Sequence, residues 1–193
     1  MNNFFFEEYK IYLAKTKKCS QNTLDAYLRD ISQFITYSSN NNYSNAASIN
    51  PALLSNYIDY ISSLGKSNAT ITRIIASLHS YFNFLISINI IDDDPTKGIK
   101  GPKTARKLPD VLNANEIKLL LSQPNSSDYK GIRDKAMLEL LYATGIKVSE
   151  LIELNINDIN LQIGIIHMHN SKHERIVPVY PAANKHLGEY CNV

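Results

Sequence analysis

The sequence of 193 residues has few cysteines and no long apolar run. Its two cysteines, Cys19 and Cys191, lie far apart, which excludes a disulfide framework and a cysteine-based metal spacing. So little cysteine is typical of a reducing compartment, and we expect a cytoplasmic protein. No apolar stretch approaches the ~20 residues that a membrane-spanning helix requires. The start, MNNFFFEEYK, has no basic segment followed by a long apolar one, so we expect neither a signal peptide nor a membrane partner.

The excess of positive over negative charge is also small, since the net charge at pH 7 is only +2. Its distribution is uneven: residues 1–108 carry twelve Lys and Arg against eight Asp and Glu, whereas residues 109–193 carry eight against ten. The excess peaks in a segment without acids, which we call the basic stripe: Lys97, Lys100, Lys103, Arg106 and Lys107. Such a stripe favours a polyanion even when the net charge is near zero. A linker kept soluble by its lysines is the alternative interpretation.

Apolar residues in the first half recur at the three-to-four spacing of amphipathic helices. We predict four such helices. The first spans residues 5–16, and the second begins after a Ser20 cap. The third runs from Asn50-Pro51 to Gly65, and the fourth runs from a Ser67 or Asn68 cap to Pro95. Four such helices with short connections predict a helical bundle, which forms a first domain at 1–94. Residues 95–109 are rich in Pro, Gly and Lys, and we predict that they form a basic linker.

The remaining residues, 110–193, change from helical to strand periodicity. Asn113 with Glu116 predicts a capped short helix, and further helices are predicted over 129–143 and 148–153. Two β-rich segments at 163–169 and 175–179 are separated by few residues, which predicts a hairpin. Pro178 favours an edge position for the second strand, and Pro181 can start one more helix. The fold class is therefore mainly α with a small β-hairpin.

Several motifs in order resemble the tyrosine recombinases, the phage integrase family, of the Xer kind. In the first domain the similar segments are Ser20-x-Asn-Thr-Leu-x-Ala-Tyr-x-Arg-Asp-Ile-x-x-Phe34, Thr70-Ile-x-Arg73 and Asp94-Pro95. In the second they are Leu108-Pro109, Arg133-Asp134-x-Ala136, the run Leu140-Leu-Tyr-Ala-Thr-Gly-Ile-Lys-Val-Ser-Glu-Leu151, and Glu174-Arg-Ile-Val-Pro178. The resemblance implies a four-helix SAM-like core-binding domain followed by the first part of an α+β catalytic domain.

The resemblance also implies a chemistry. In that family a tyrosine attacks a DNA phosphate and forms a phosphotyrosyl bond, which is covalent catalysis. Two arginines stabilise the phosphate charge and a hairpin lysine protonates the leaving oxygen. Neither a metal nor a cofactor takes part. The implied partners are double-stranded DNA and other recombinase protomers.

Two candidate catalytic residues depart from the family pattern. Lys147 stands where the family has its first arginine, and a lysine offers one point charge instead of a planar fork. An ordinary surface lysine is the competing interpretation of Lys147, and we expect Glu150 to support the local fold. Lys172 is the only lysine in the hairpin turn, but it lies closer to Arg175 than the family spacing, and a gapless alignment puts Asn170 at its place.

The nucleophile and the His-x-x-Arg motif of the family are not among the 193 residues, and Tyr190 follows no such motif. We therefore expect a C-terminally truncated recombinase that does not catalyse alone, with a second domain that is poorly stable by itself. The histidines 167, 169 and 173 have no Cys or acid at a ligand spacing, so we expect packing across the strands and no metal site.

DNA contacts are expected on the polar faces of the second and fourth helices. The candidates there are Arg29, Lys66 and Arg73, and the basic stripe would follow the phosphates. Two other functions stay open. One is an active enzyme that receives its missing residues from a partner chain, and the other is a helical protein-interaction module that binds another recombinase instead of DNA.

Overall fold

The computed structural model describes residues 4–102, 108–169 and 174–192. The chain divides into two units, which we call unit 1 (Met1–Lys107) and unit 2 (Leu108–Val193). Unit 1 contains four α-helices: α1 (Phe6–Ile11), α2 (Gln21–Asn40), α3 (Pro51–Ser63) and α4 (Asn68–Ser87). A π-helical turn, Tyr12–Thr16, extends α1, and a short 3-10 turn, Ala46–Ser48, precedes α3.

Local sequence determines where two of the four helices of unit 1, α3 and α4, begin. The Asn50 side chain accepts a hydrogen bond from Leu53 N–H at 2.9 Å, and Ser67 Oγ accepts one from Thr70 N–H at 3.2 Å. Both caps are confirmed. At Ser20 the prediction was right about the position and wrong about the bond: in the described chain the helix receives no capping bond from this hydroxyl, which pairs with Thr23 Oγ1 at 2.9 Å.

Aromatic and aliphatic side chains fill the core of unit 1. Its largest fully buried members include Tyr9, Phe34, Tyr57, Tyr81 and Phe82. Their rings meet at tilted and edge-on angles, with Phe34 and Tyr57 centroids 5.2 Å apart, which is the preferred geometry of aromatic pairs. The burial of a phenylalanine side chain such as Phe34 or Phe82 contributes about 1.5–3 kcal/mol, so this core stabilises the packing of α2, α3 and α4.

Unit 2 combines four helices with a small antiparallel sheet. The helices are α5 (Ala114–Leu121), α6 (Tyr129–Thr144), α7 (Val148–Ile152) and α8 (Pro181–Cys191), and the strands are β1 (Ile159–Asn160), β2 (Ile165–Met168) and β3 (Arg175–Pro178). The predicted hairpin is confirmed as β2 and β3, with Ile166 opposite Val177. β1 adds a third strand that the sequence did not predict, and β3 lies at an edge of the described sheet.

The core of unit 2 is smaller and lies between α6, α8 and the sheet. Leu140, Ile166, Met168, Ala183 and Leu187 are buried there. The capping box of α5 is confirmed, because Asn113 Oδ1 accepts from Glu116 N–H at 3.0 Å and Glu116 Oε2 accepts from Asn113 N–H at 2.7 Å. Within the described ranges, no helix combines the length and the apolar character needed to cross a bilayer.

Candidate nucleic-acid interface

Two of the predicted DNA-binding cations are exposed on the surface of unit 1. Arg29 lies on α2, next to the buried Asp30, and Lys66 lies in the short connection before α4. An exposed side chain of this kind keeps its charge hydrated and available to a phosphate. Both side chains therefore have the exposure that the predicted DNA contact requires.

Arg73, the third predicted contact, takes part in an internal ion pair. Its Nη1 donates to the Asp30 carboxylate and, at 3.5 Å, to the Ala26 carbonyl, so that α4 is joined to α2. Asp30 is buried, and burial raises the pKa of its carboxyl group while the Arg73 guanidinium opposes that rise. With a side chain 38% exposed, Arg73 is both an internal partner and a part of the surface.

Sequence reasoning missed the Asp30 partner, although a signal was present. Asp30 falls three residues after Tyr27 and four before Phe34, which places it on the apolar face of α2. An acid on a buried face requires a cationic or hydrogen-bonding partner. That partner, Arg73, is 43 positions away in the sequence. The apolar spacing of α2 therefore indicates that Asp30 needs a partner but does not identify which residue it is.

The first part of the basic stripe packs on unit 1. Thr96 is buried, and Ile99 packs against the core of the unit. Lys97 and Lys100 are exposed on either side of Ile99, and Lys97 Nζ lies 3.4 Å from Asp93 Oδ1. The stripe therefore begins on the surface of the helical bundle. The other predicted cations, Lys103, Arg106, Lys107 and Lys172, lie outside the described residues.

Lys147, the candidate at the first arginine position, is exposed and immediately precedes α7. Its backbone N–H donates to Glu150 Oε2 at 2.9 Å. Glu150 also receives two hydrogen bonds from Arg175, from Nη1 to Oε1 at 3.0 Å and from Nη2 to Oε2 at 2.9 Å. These Arg175 bonds hold the pKa of Glu150 well below its usual range, at about 2. Glu150 thus joins the loop of Lys147 to the first residue of β3, in the supporting role that the sequence predicts.

A second polar network supports α6. Glu139 is buried, and Lys135 Nζ lies 2.9 Å from its Oε1 while the Tyr180 hydroxyl donates to its Oε2 at 2.5 Å. Burial opposes the ionisation of Glu139, but these two partners outweigh it and hold the pKa of Glu139 below its ordinary value. Burial and the same carboxylate raise the pKa of Tyr180 to about 12. The network connects α6 to the start of α8.

His167 of β2 packs against His169, which directly follows the strand. The rings of His167 and His169 are parallel within 7°, with centroids 5.9 Å apart. His169 lies between two acids, 3.7 Å from Asp158 Oδ1 and 4.0 Å from Glu174 Oε1. Across residues 4–102, 108–169 and 174–192, no three His, Cys, Asp or Glu side chains are arranged to hold a metal ion. His173 lies outside the described residues.

Family models match both units. The model described as "Phage integrase, N-terminal SAM-like domain" matches residues 6–89, and the model "Phage integrase family" matches residues 110–193. A tyrosine recombinase of Caldanaerobacter subterraneus is 40% identical over 183 residues, which are 95% of this chain and 62% of that protein. Tyrosine recombinase XerD of Staphylococcus epidermidis is 34% identical over 189 residues, or 97% of this chain and 64% of that protein.

The fold is also similar to a solved structure. A lambda integrase dimer bound to a COC' core site matches 97% of this chain and 53% of the integrase chain, with a TM-score of 0.75 and 21% identity. This likeness concerns the fold, which agrees with the predicted mainly helical class. The chain spans less than two thirds of the length of the curated relatives it matches. Both units match one family in the expected order, and the chain belongs to the phage integrase family of tyrosine recombinases.

Proposed function

We propose that the 193 residues bind double-stranded DNA as part of a site-specific recombinase that breaks and rejoins strands through a phosphotyrosyl intermediate. The observation that carries this proposal is the match of both units to the phage integrase family, together with a basic stripe free of acids. The lambda integrase of similar fold was solved on its core site. DNA is therefore the polyanion that we assign to the stripe.

The exposed cations of unit 1 support this assignment. Arg29, Lys66, Lys97 and Lys100 are all exposed, and each can neutralise a phosphate and release its counterions. Contacts of this kind orient a protein on the duplex without reading its sequence. Arg73 adds a side chain that is 38% exposed and joins α4 to α2 through Asp30.

The proposal includes a limited catalytic role for these residues. Lys147 takes the place of the first phosphate-binding arginine, and Lys172 takes the place of the general acid, as the resemblance implies. The 193 residues contain no His-x-x-Arg motif. We therefore expect them to bind DNA without cleaving it unaided, and an assay on nicked DNA that traps a covalent adduct would contradict this.

A pair of charge-neutralising variants tests the DNA surface. The double variant Arg29→Gln/Lys66→Gln removes two exposed cations, so the slope of log affinity against log salt should fall by about 2, one unit for each lost phosphate contact. Binding to unrelated duplexes should weaken equally. Lys10→Gln, which removes an exposed lysine of α1 outside the predicted set, is the matched control. An equal effect of both variants, or no effect of the first, would contradict the proposal.

A protein-binding function is the second candidate, and an apolar groove of unit 2 favours it. The groove has a volume of about 640 Å³ and is lined by Met137, Leu140 and Leu151 among others. Ile152 and Ile156 at its border are 72% and 73% exposed. Large exposed apolar patches mark interaction sites. Association with a recombinase protomer that survives high salt and is lost in Ile152→Ser/Ile156→Ser would support this function.

A further inference from the structure

A buried threonine fastens the start of the basic stripe to α4. Thr96 is 1% exposed. Its hydroxyl donates to Asp94 Oδ1 at 2.5 Å and lies 2.5 Å from His79 Nδ1. The Thr96 hydroxyl is therefore within hydrogen-bond distance of both Asp94 and His79. The Thr96 N–H adds a third bond, to Asp94 Oδ1 at 2.9 Å.

The chain after Thr96 then runs back along α4. A Cβ on Gly101 would lie 3.1 Å from Thr72 Oγ1, so the backbone of Gly101 packs directly on that side chain. Thr72 precedes His79 by seven residues, about 10 Å along the helix at ~1.5 Å per residue. We call residues 94–101 the return segment. It contacts α4 at His79 and at Thr72, and it carries Lys97 and Lys100 between these two contacts.

We propose that Thr96 is a positioning residue for DNA binding, which holds the return segment on α4 so that Lys97 and Lys100 are presented to phosphates in advance. This inference rests on the proposed function and adds a mechanism to it. A cation on a free linker must be ordered when it binds, whereas one on a fastened segment has already lost part of that freedom. Thr96 itself is buried and contacts no DNA.

Lys97 is free to exchange its partner. The Lys97 and Asp93 side chains are 72% and 93% exposed, and a surface pair of this kind contributes little. A phosphate can therefore replace Asp93 as the partner of Lys97 at small cost. The return segment thus fixes the backbone that carries these cations and leaves their charges available.

Two kinds of variant separate positioning from contact. Thr96→Val keeps the shape of the side chain and removes its hydroxyl bonds, so the dissociation constant for duplex DNA should rise about five-fold, with an unchanged salt slope. Lys97→Gln/Lys100→Gln should reduce that slope by about 2. Thr96→Ser retains the hydroxyl and should bind like the wild type. All titrations are made below the unfolding temperature, which circular dichroism checks for each variant.

His79→Ala provides a second way to weaken the attachment of the return segment to α4. The His79 side chain is 38% exposed, so its removal should destabilise the fold less than a change at the buried Thr96. It should weaken DNA binding as Thr96→Val does. Wild-type affinity in both Thr96→Val and His79→Ala would overturn the positioning role, as would an unchanged slope in the double lysine variant. Failure of the wild type to bind duplex DNA at low salt would instead overturn the proposed function itself.

Discussion

Arg73 and Arg29 are both arginines of unit 1, but their surroundings differ. Arg73 is the partner of the buried Asp30, whereas Arg29 is exposed. Arg73→Gln leaves a buried carboxylate without its cation, so unit 1 should lose about 2–3 kcal/mol, less than a fully buried pair because Arg73 is partly exposed. Arg29→Gln should change stability by less than about 0.5 kcal/mol. Urea unfolding of both variants measures this difference.

Comparing Arg73→Gln with Arg29→Gln also separates a structural role from a role in DNA contact. Arg29→Gln should reduce the salt slope of DNA binding while the fold is unchanged, since its role is on the surface. If Arg73→Gln unfolds at the same urea concentration as Arg29→Gln, the Arg73–Asp30 pair does not hold α2 to α4, and our account of this pair is wrong.

Glu150 makes the stability of unit 2 depend on pH. Its pKa is held at about 2 in the folded state, mainly by the Arg175 hydrogen bonds, against an ordinary value of 4.5. The folded state therefore binds this proton less well, so the contribution of Glu150 is complete above pH 4.5 and is lost as the pH falls toward 2.

The variant Glu150→Gln tests this dependence. Above pH 4.5 the wild type should unfold at a higher temperature than the variant, and the difference should shrink as the pH is lowered toward 2. Thermal melts followed by circular dichroism across this range provide the measurement. A difference that stays constant down to the lowest pH would show that the Glu150–Arg175 pair is not the cause.

At the level of secondary structure, the start of α6 depends on a glycine. A Cβ on Gly131 would lie 1.6 Å from the carbonyl oxygen of Asn125, so the preceding loop can close on α6 only without a side chain there. Gly131→Ala should therefore destabilise unit 2 by about 1–3 kcal/mol, the usual range for overpacking. Gly188 on α8 meets its nearest side chain at 3.8 Å, so Gly188→Ala should be neutral or stabilise by up to about 1 kcal/mol.

Chemical unfolding of the two glycine variants decides this point. Because both residues lie in helices of unit 2, any general effect of replacing glycine by alanine appears in both. Equal stability of Gly131→Ala and Gly188→Ala would mean that the loop before α6 moves away at no cost.

Helices with local signals were predictable from the sequence, and features formed by distant residues were not. The α5 capping box links residues three positions apart, so the sequence contains all of its information. β1 has only two residues, too few to produce a periodicity. The Arg73–Asp30 pair and the Thr96–His79 contact join residues 43 and 17 positions apart, and no local pattern specifies them.

The candidate site was predictable in part, for the same reason. The sequence identifies Arg29, Lys66, Lys97 and Lys100 as cations, and the structure places all four at the surface. The exposure of Arg29 follows from the helical pattern of its neighbours, whereas Lys66, Lys97 and Lys100 lie outside the helices. Their role in DNA binding remains a prediction, as do the roles of Lys147 and Lys172, since a charge on the surface does not specify its partner.

For the molecule as a whole, the two units divide the functional features. Unit 1 has a large aromatic core, the return segment and four exposed cations of the predicted DNA-binding set, Arg29, Lys66, Lys97 and Lys100. Unit 2 has a smaller core and exposes several large apolar side chains, among them Val148, Ile152 and Ile156. Under the proposed function we expect DNA affinity to reside chiefly in unit 1, whereas the alternative protein-binding function would use the apolar groove of unit 2.

Binding of this chain to duplex DNA through phosphate contacts is tested most directly by a titration of the purified protein against a labelled duplex at several salt concentrations. The four exposed cations predict that log affinity falls linearly with log salt, with a slope of at least about 3.5 at ~0.9 per contact. A linear plot with this slope would support DNA binding through phosphate contacts. Absence of binding at low salt, or an affinity that salt does not change, would contradict the claim and favour the protein-interaction function.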